Sequence, residues 1–200
     1  MKRNLRSLML LVLVMVFSIF SQSAVADPLP PGKSNVMWIN HLDFLAGDPS
    51  VITSFNAITS GVGGGLSGLI IESTTPGDTA PGGGNKVVET GLQVPPGYSI
   101  TGVRVCYELS NAKSFISQIR LAQVQNPPGT ALELLDDAKD LMESGPVCVD
   151  SAPTSIDPSV GEVLLSLRVD FGNISDRIVL RAVALHLLRE GKGAGIGVQR

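Results

Sequence analysis

Tyr98-Ser-Ile-Thr-Gly-Val-Arg-Val-Cys-Tyr-Glu-Leu109 alternates strictly over its second half. Val103, Val105, Tyr107 and Leu109 fall on one face, and Arg104, Cys106 and Glu108 on the other. A period of two is the mark of a half-buried β-strand, because successive side chains point to opposite sides of a sheet. The same pattern recurs downstream. Val163, Leu165, Leu167, Val169 and Phe171 alternate with Leu164, Ser166, Arg168 and Asp170.

Working outward, Val87–Val94 reads as a strand, Pro95-Pro96-Gly97 as a turn, and Phe115–Val124 as a further strand ended by Asn126-Pro127-Pro128-Gly129. Bulky residues over Val36–Phe44 predict another strand, followed by apolar segments at Val51–Ile58 and Leu69–Ile71. Two segments are ambiguous. Ala131–Glu143 is rich in helix formers and predicts a short helix or an irregular crossover. Ile178–Leu188 leaves no clean helical stripe and predicts a final buried strand. Seven or more short strands joined by Pro/Gly turns predict an all-β chain. The architecture expected is a two-layer antiparallel β-sandwich, jelly-roll-like, with at most one short helix. The phrase Pro95-Pro96-Gly97-Tyr98-x-Ile100-x-x-Val103 resembles turns common in exported jelly-roll-like modules, a generic likeness that names no family.

The first 26 residues read as an address. Lys2, Arg3 and Arg6 precede an apolar run from Leu8 to Phe20, and Ala24-Val25-Ala26 supplies the small-x-small pattern of a cleavage site before Asp27. That run is short for a bilayer span. No Cys near the cut could take a lipid, so the expected product is secreted or periplasmic, with no membrane insertion after cleavage. The expected organisation is a signal peptide (1–26), an extended Pro-rich leader (27–35), one sandwich domain (36–190) and a flexible tail (191–200). Cleavage removes three of 15 basic side chains, leaving 12 against 18 acidic ones, a net charge of −6. That balance excludes a basic nucleic-acid binder, and 44% hydrophobic residues exclude a disordered chain.

Export also bears on the cysteines. Cys106 and Cys148 are the only two, each between apolar neighbours in a strand-like segment, so an inter-strand disulfide is expected. Without a Cys-x-x-Cys or a nearby His, a metal site or catalytic thiol is the weaker reading.

Chemistry is sparsely marked. His41 and Asp43, two apart on an expected strand, would share a face and could orient an imidazole or supply two metal ligands. A third ligand would have to come from distant His186 or a carboxylate. Asp136, Asp137 and Asp140 lack the spacing and central Gly of a calcium loop, and Asn173-Ile174-Ser175 reads as a hairpin turn. No cofactor is expected. Most aromatic residues fall in strand patterns and are expected in the core. Trp38 and Tyr98 are the two rings suited to cover a sugar face. The loops Gly61–Gly68 and Thr74–Asn85 are candidate binding surfaces. The function expected is non-catalytic binding of an envelope or extracellular protein or glycan. A carbohydrate-binding module is the first alternative, and a hydrolase or metal-dependent enzyme built on His41 and Asp43 the second.

Overall fold

The structure, a computed structural model, describes residues 34–55, 68–125 and 130–190. The expected cut between Ala26 and Asp27, most of the leader, the glycine run over 61–67 and the tail 191–200 lie outside the described residues.

The described residues form eleven strands: β1 (Ser34–Ile39), β2 (Leu45–Ala46), β3 (Val51–Phe55), β4 (Leu69–Ser73), β5 (Val87–Leu92), β6 (Tyr98–Leu109), β7 (Phe115–Gln125), β8 (Ala131–Asp137), β9 (Val147–Asp150), β10 (Gly161–Asp170) and β11 (Ile178–Arg189). A single 3-10 turn spans His41–Asp43, and no described helix is long and apolar enough to cross a membrane. One sheet has the order β3–β4–β11–β6–β9, and the other β2–β5–β10–β7–β8. All pairings are antiparallel. β6 runs along one side of β11, so β4 and β1 share its other side end to end. From β4 onward the chain changes sheet at every connection except β7–β8, which makes the sandwich jelly-roll-like.

Alternation explains the core. Val103, Val105 and Tyr107 of β6, Leu165 and Leu167 of β10, and Ile119 and Leu121 of β7 are essentially inaccessible to water. Each such side chain contributes roughly 1.5–3 kcal/mol on burial. β11 is buried as expected, with Val183, Leu185 and Leu187 facing inward. Phe44, Tyr107 and Phe171 also lie in the core, whereas Trp38 is exposed and Phe55 is exposed too, unlike most of the aromatic residues in strand patterns.

Three expectations need correcting. The strand over 36–44 stops at Ile39, because the Asn40 side chain accepts from the Leu42 amide and starts the 3-10 turn. Ala131–Asp137 is a strand rather than a helix or crossover. The open edge of β7 supplies its backbone partners, and Arg120 pairs with Glu133 and Asp136, so tertiary pairing overrides helix propensity. Asn173-Ile174-Ser175 does turn, through Asn173 Oδ1 accepting from the Ser175 amide at 3.0 Å, but it carries the chain between sheets and joins no hairpin.

Thr74–Asn85 is more tied down than its composition suggests. Ala80 is buried, and bridges link Gly77 to Phe171 and Thr79 to Asn85. At its end Lys86 is fully buried, its ammonium donating to the carbonyls of Thr75 at 2.5 Å and of Pro76 and Gly77 at 2.9 Å. Burial pushes this ammonium's pKa down, and the nearby charges of Asp170, Asp48 and Asp78 oppose the shift.

Candidate functional site

β1 is an edge strand, and β2 covers β5 only opposite Val88 and Glu89. Both sheets therefore present an open edge on the same side of the sandwich. Between those edges lies a recess of about 230 Å³, lined by Trp38, Asn40, Asp43, Thr90, Gly91 and Gln93. The indole of Trp38 is 58% exposed there. Alternation places it so: Met37 and Ile39 pack against the core, and Trp38 turns outward. Asn40 Nδ2 donates to Asp43 Oδ1 at 2.7 Å, so the residue that starts the 3-10 turn also orients the carboxylate at the recess wall.

This recess belongs to a longer groove. It shares Asp43, Thr90 and Gly91 with a recess of about 320 Å³ bounded by Leu45 and Glu89. In the other direction it shares Gln93 with a shallow recess of about 580 Å³ between Leu92–Val94 and Pro158–Val163. That one shares Val94, Pro158 and Ser159 with a last recess of about 220 Å³, lined by Tyr98, Asp157 and Glu190.

The groove collects three of the four residues singled out from the sequence. Trp38 and Asp43 meet in one recess, and Tyr98 stands two recesses away. Trp38 lies opposite Ala184 of β11 and Tyr98 opposite Arg189, about 17 Å apart along that strand, so the two rings do not form one platform. His41 is half-buried on the 3-10 turn, its Nε2 inaccessible, and burial pushes its pKa down, which favours the neutral ring. The shared strand face expected for His41 and Asp43 does not exist, because neither residue is on a strand. Among the described residues no group of three or more His, Cys, Asp or Glu is placed to hold a metal. Asp136 is taken up by Gln118 and Arg120, and Asp137 accepts from the Lys139 and Ala152 amides. The Thr74–Asn85 loop does not line the groove.

A second constellation escaped the sequence reading. On the outer face of β6 and β9, Arg104 makes a two-pronged contact with Asp150, Nε to Oδ1 at 2.7 Å and Nη2 to Oδ2 at 2.8 Å. His186 Nε2 lies 2.9 Å from the same Oδ1. The Arg104 bonds, and then His186, hold the Asp150 carboxyl far below the usual carboxylate range. Gly102 lies beside this group, and a Cβ there would reach ordinary contact with His186 Cδ2, at 3.4 Å. Cys106 and Cys148 are bonded, with Cα atoms 3.9 Å apart, directly opposite one another in the β6–β9 register. That pairing was the available signal: once Cys106 faces Cys148 on antiparallel strands, Arg104 must face Asp150.

No protein-family model matches the chain, and no curated protein does. The fold is similar to solved structures. One is the CBM22-1–GH10 module pair of Clostridium thermocellum endo-1,4-beta-D-xylanase 10B complexed with xylohexaose, at a TM-score of 0.50 and 9% identity. That match covers 81% of this chain and 29% of the other, so this chain spans under a third of that protein. Another is the CBM22-1 xylan-binding domain of Paenibacillus barcinonensis Xyn10C, at 0.48 and 10% identity over 82% of this chain and all of the other. At these identities the likeness shows the architecture: an all-β sandwich of two antiparallel sheets, as built in carbohydrate-binding modules.

Proposed function

We propose that the chain is an exported carbohydrate-binding sandwich that holds a glycan in the groove along the open edges of β1 and β5. The observation that carries this reading is Trp38. A large flat ring, more than half exposed, stands over a groove whose walls offer Asn40, Asp43, Thr90 and Gln93. Sugars need both parts: an aromatic face for the apolar side of the ring, and amide or carboxylate groups for its hydroxyls. The resemblance to a module pair solved with xylohexaose supports the reading at the level of architecture. This narrows the broader expectation of an unidentified partner to its glycan alternative. Export, with cleavage between Ala26 and Asp27, belongs to the same proposal and is supported by the Cys106–Cys148 bond.

Affinity electrophoresis through gels holding xylan, β-glucan, mannan or glucosamine polymers tests the binding. At least one polymer should retard the wild type. Trp38→Ala should weaken that retardation about tenfold or more while leaving the far-ultraviolet circular dichroism unchanged. Retardation unaltered by Trp38→Ala, or absent for every polymer, would refute the reading. Amino-terminal sequencing of the protein recovered from its host should begin at Asp27.

A further inference from the structure

We propose that the groove selects linear glycans that carry free, protonated amines. The inference rests on the glycan reading above and adds the charge class of the ligand. Five carboxylates line the four recesses: Asp43, Glu89, Asp157, Glu162 and Glu190. Among the described residues no Lys or Arg lines the groove, and none of the five acids is in an ion pair. Four described arginines are engaged elsewhere. Arg120 pairs with Glu133 and Asp136, Arg168 with Asp78, Arg177 with Glu72, and Arg181 with Glu108.

Part of this charge lies next to the ring's recess. Gly91 lines the Trp38 recess, and a Cβ on it would stand only 3.2 Å from Glu162 Oε1, a carboxylate that lines the adjoining recess. Asp43, held by Asn40, lines the same recess. Glu89 stands four residues before Gln93, about 13 Å away along β5. A chain laid along the groove therefore meets carboxylates beside and beyond the indole. An exposed indole face adds its own attraction for a cation. A polyuronate or sulfated glycan meets the same surface as repulsion, and a neutral glycan gains only stacking and hydrogen bonds.

The experiment is affinity electrophoresis at mildly acidic pH, where free amines carry protons. The gels contain chitosan, a soluble glycol derivative of its N-acetylated counterpart, or polygalacturonate. Asp43→Asn and Glu162→Gln remove single charges from the groove, and Asp140→Asn removes one from an exposed site outside it. Expected are the strongest retardation in chitosan, a loss of about tenfold or more in Trp38→Ala, and losses of about two- to fivefold in each groove-acid variant. Asp140→Asn should match the wild type, and added salt should weaken retardation. Equal losses in Asp140→Asn and the groove variants, with Trp38→Ala unaffected, would reduce the binding to bulk charge and overturn the proposal. Preference for the acetylated polymer, insensitive to Asp43→Asn and Glu162→Gln, would overturn amine selection while leaving the glycan reading intact. Retention by none of these or the neutral polymers would sink both. Displacement by oligolysine but not by glucosamine oligomers would make the groove a site for basic peptides and refute the proposal.

Discussion

Replacing both Cys106 and Cys148 with Ser should cost about 4 kcal/mol. The bond spans 42 residues, and that stretch leaves the first sheet, runs through all of β7 and β8 in the second, and returns as β9. Opening a loop of that length restores about 13 cal/mol/K to the unfolded chain, or about 4 kcal/mol at 25 °C. Little in the native state offsets the loss. β9 is four residues long, and without the bond it is held to β6 by its ladder and the Arg104–Asp150 contact. The substitution adds a native-state penalty at one end only, because Cys148 is exposed, whereas Cys106 is buried on the outer face of the sheet and a serine hydroxyl there adds to the loss. Urea unfolding followed by circular dichroism reads the effect. With a slope of about 2 kcal/mol/M, the midpoint should fall by about 2 M with the slope unchanged. A fall of less than about 0.5 M would refute the argument, since β9 would then be equally fixed without its cross-link.

Other outcomes follow from burial and charge. Phe171→Ala empties a fully inaccessible core position and should cost about 3–5 kcal/mol, whereas Trp38→Ala should change stability by less than about 0.5 kcal/mol; thermal melts of the pair compare them directly. Asp150 has its pKa depressed in the folded state, so its contribution is present above the ordinary carboxylate range and is lost as pH falls below about 4. Asp150→Asn should therefore flatten the acid limb of a stability–pH curve, by less than about 1 kcal/mol because the group is half exposed. An unchanged acid limb would count against that role. Gly145 has φ +78°, and a Cβ there would stand 2.5 Å from the Tyr107 carbonyl oxygen, so Gly145→Ala should cost about 1–3 kcal/mol in urea unfolding.

The long central strands were legible because their pattern is local. β6, β10 and β11 each bury one face along ten or more residues, and any sequence that does so must alternate or run apolar. β8 was not legible, since Leu132 and Leu134 are exposed and only the ladder with β7 makes that stretch extended. The break after Ile39 was hidden in one side chain, Asn40, whose hydrogen bond to the Leu42 amide outweighs a run of bulky residues. The groove draws on 38–47, 89–98, 157–163 and 190, segments that meet only once the strand order is known. Trp38 and Tyr98 could be suspected as rings. Glu162 could not, because its relevance depends on the missing side chain of Gly91 across the β5–β10 ladder.

The buried ammonium of Lys86 has a consequence for where such a protein can work. Three carbonyl oxygens from consecutive residues, Thr75 to Gly77, converge on one positive charge, which is the arrangement a turn could also obtain by capturing a dissolved metal ion. A captured ion stabilises only in proportion to its supply and departs on dilution or chelation. A cation tethered eleven residues away by the chain itself obeys no such law, for its local concentration is set by covalent bonds. The positive charge that gathers the carbonyls of this turn therefore does not depend on a supply of dissolved metal ion.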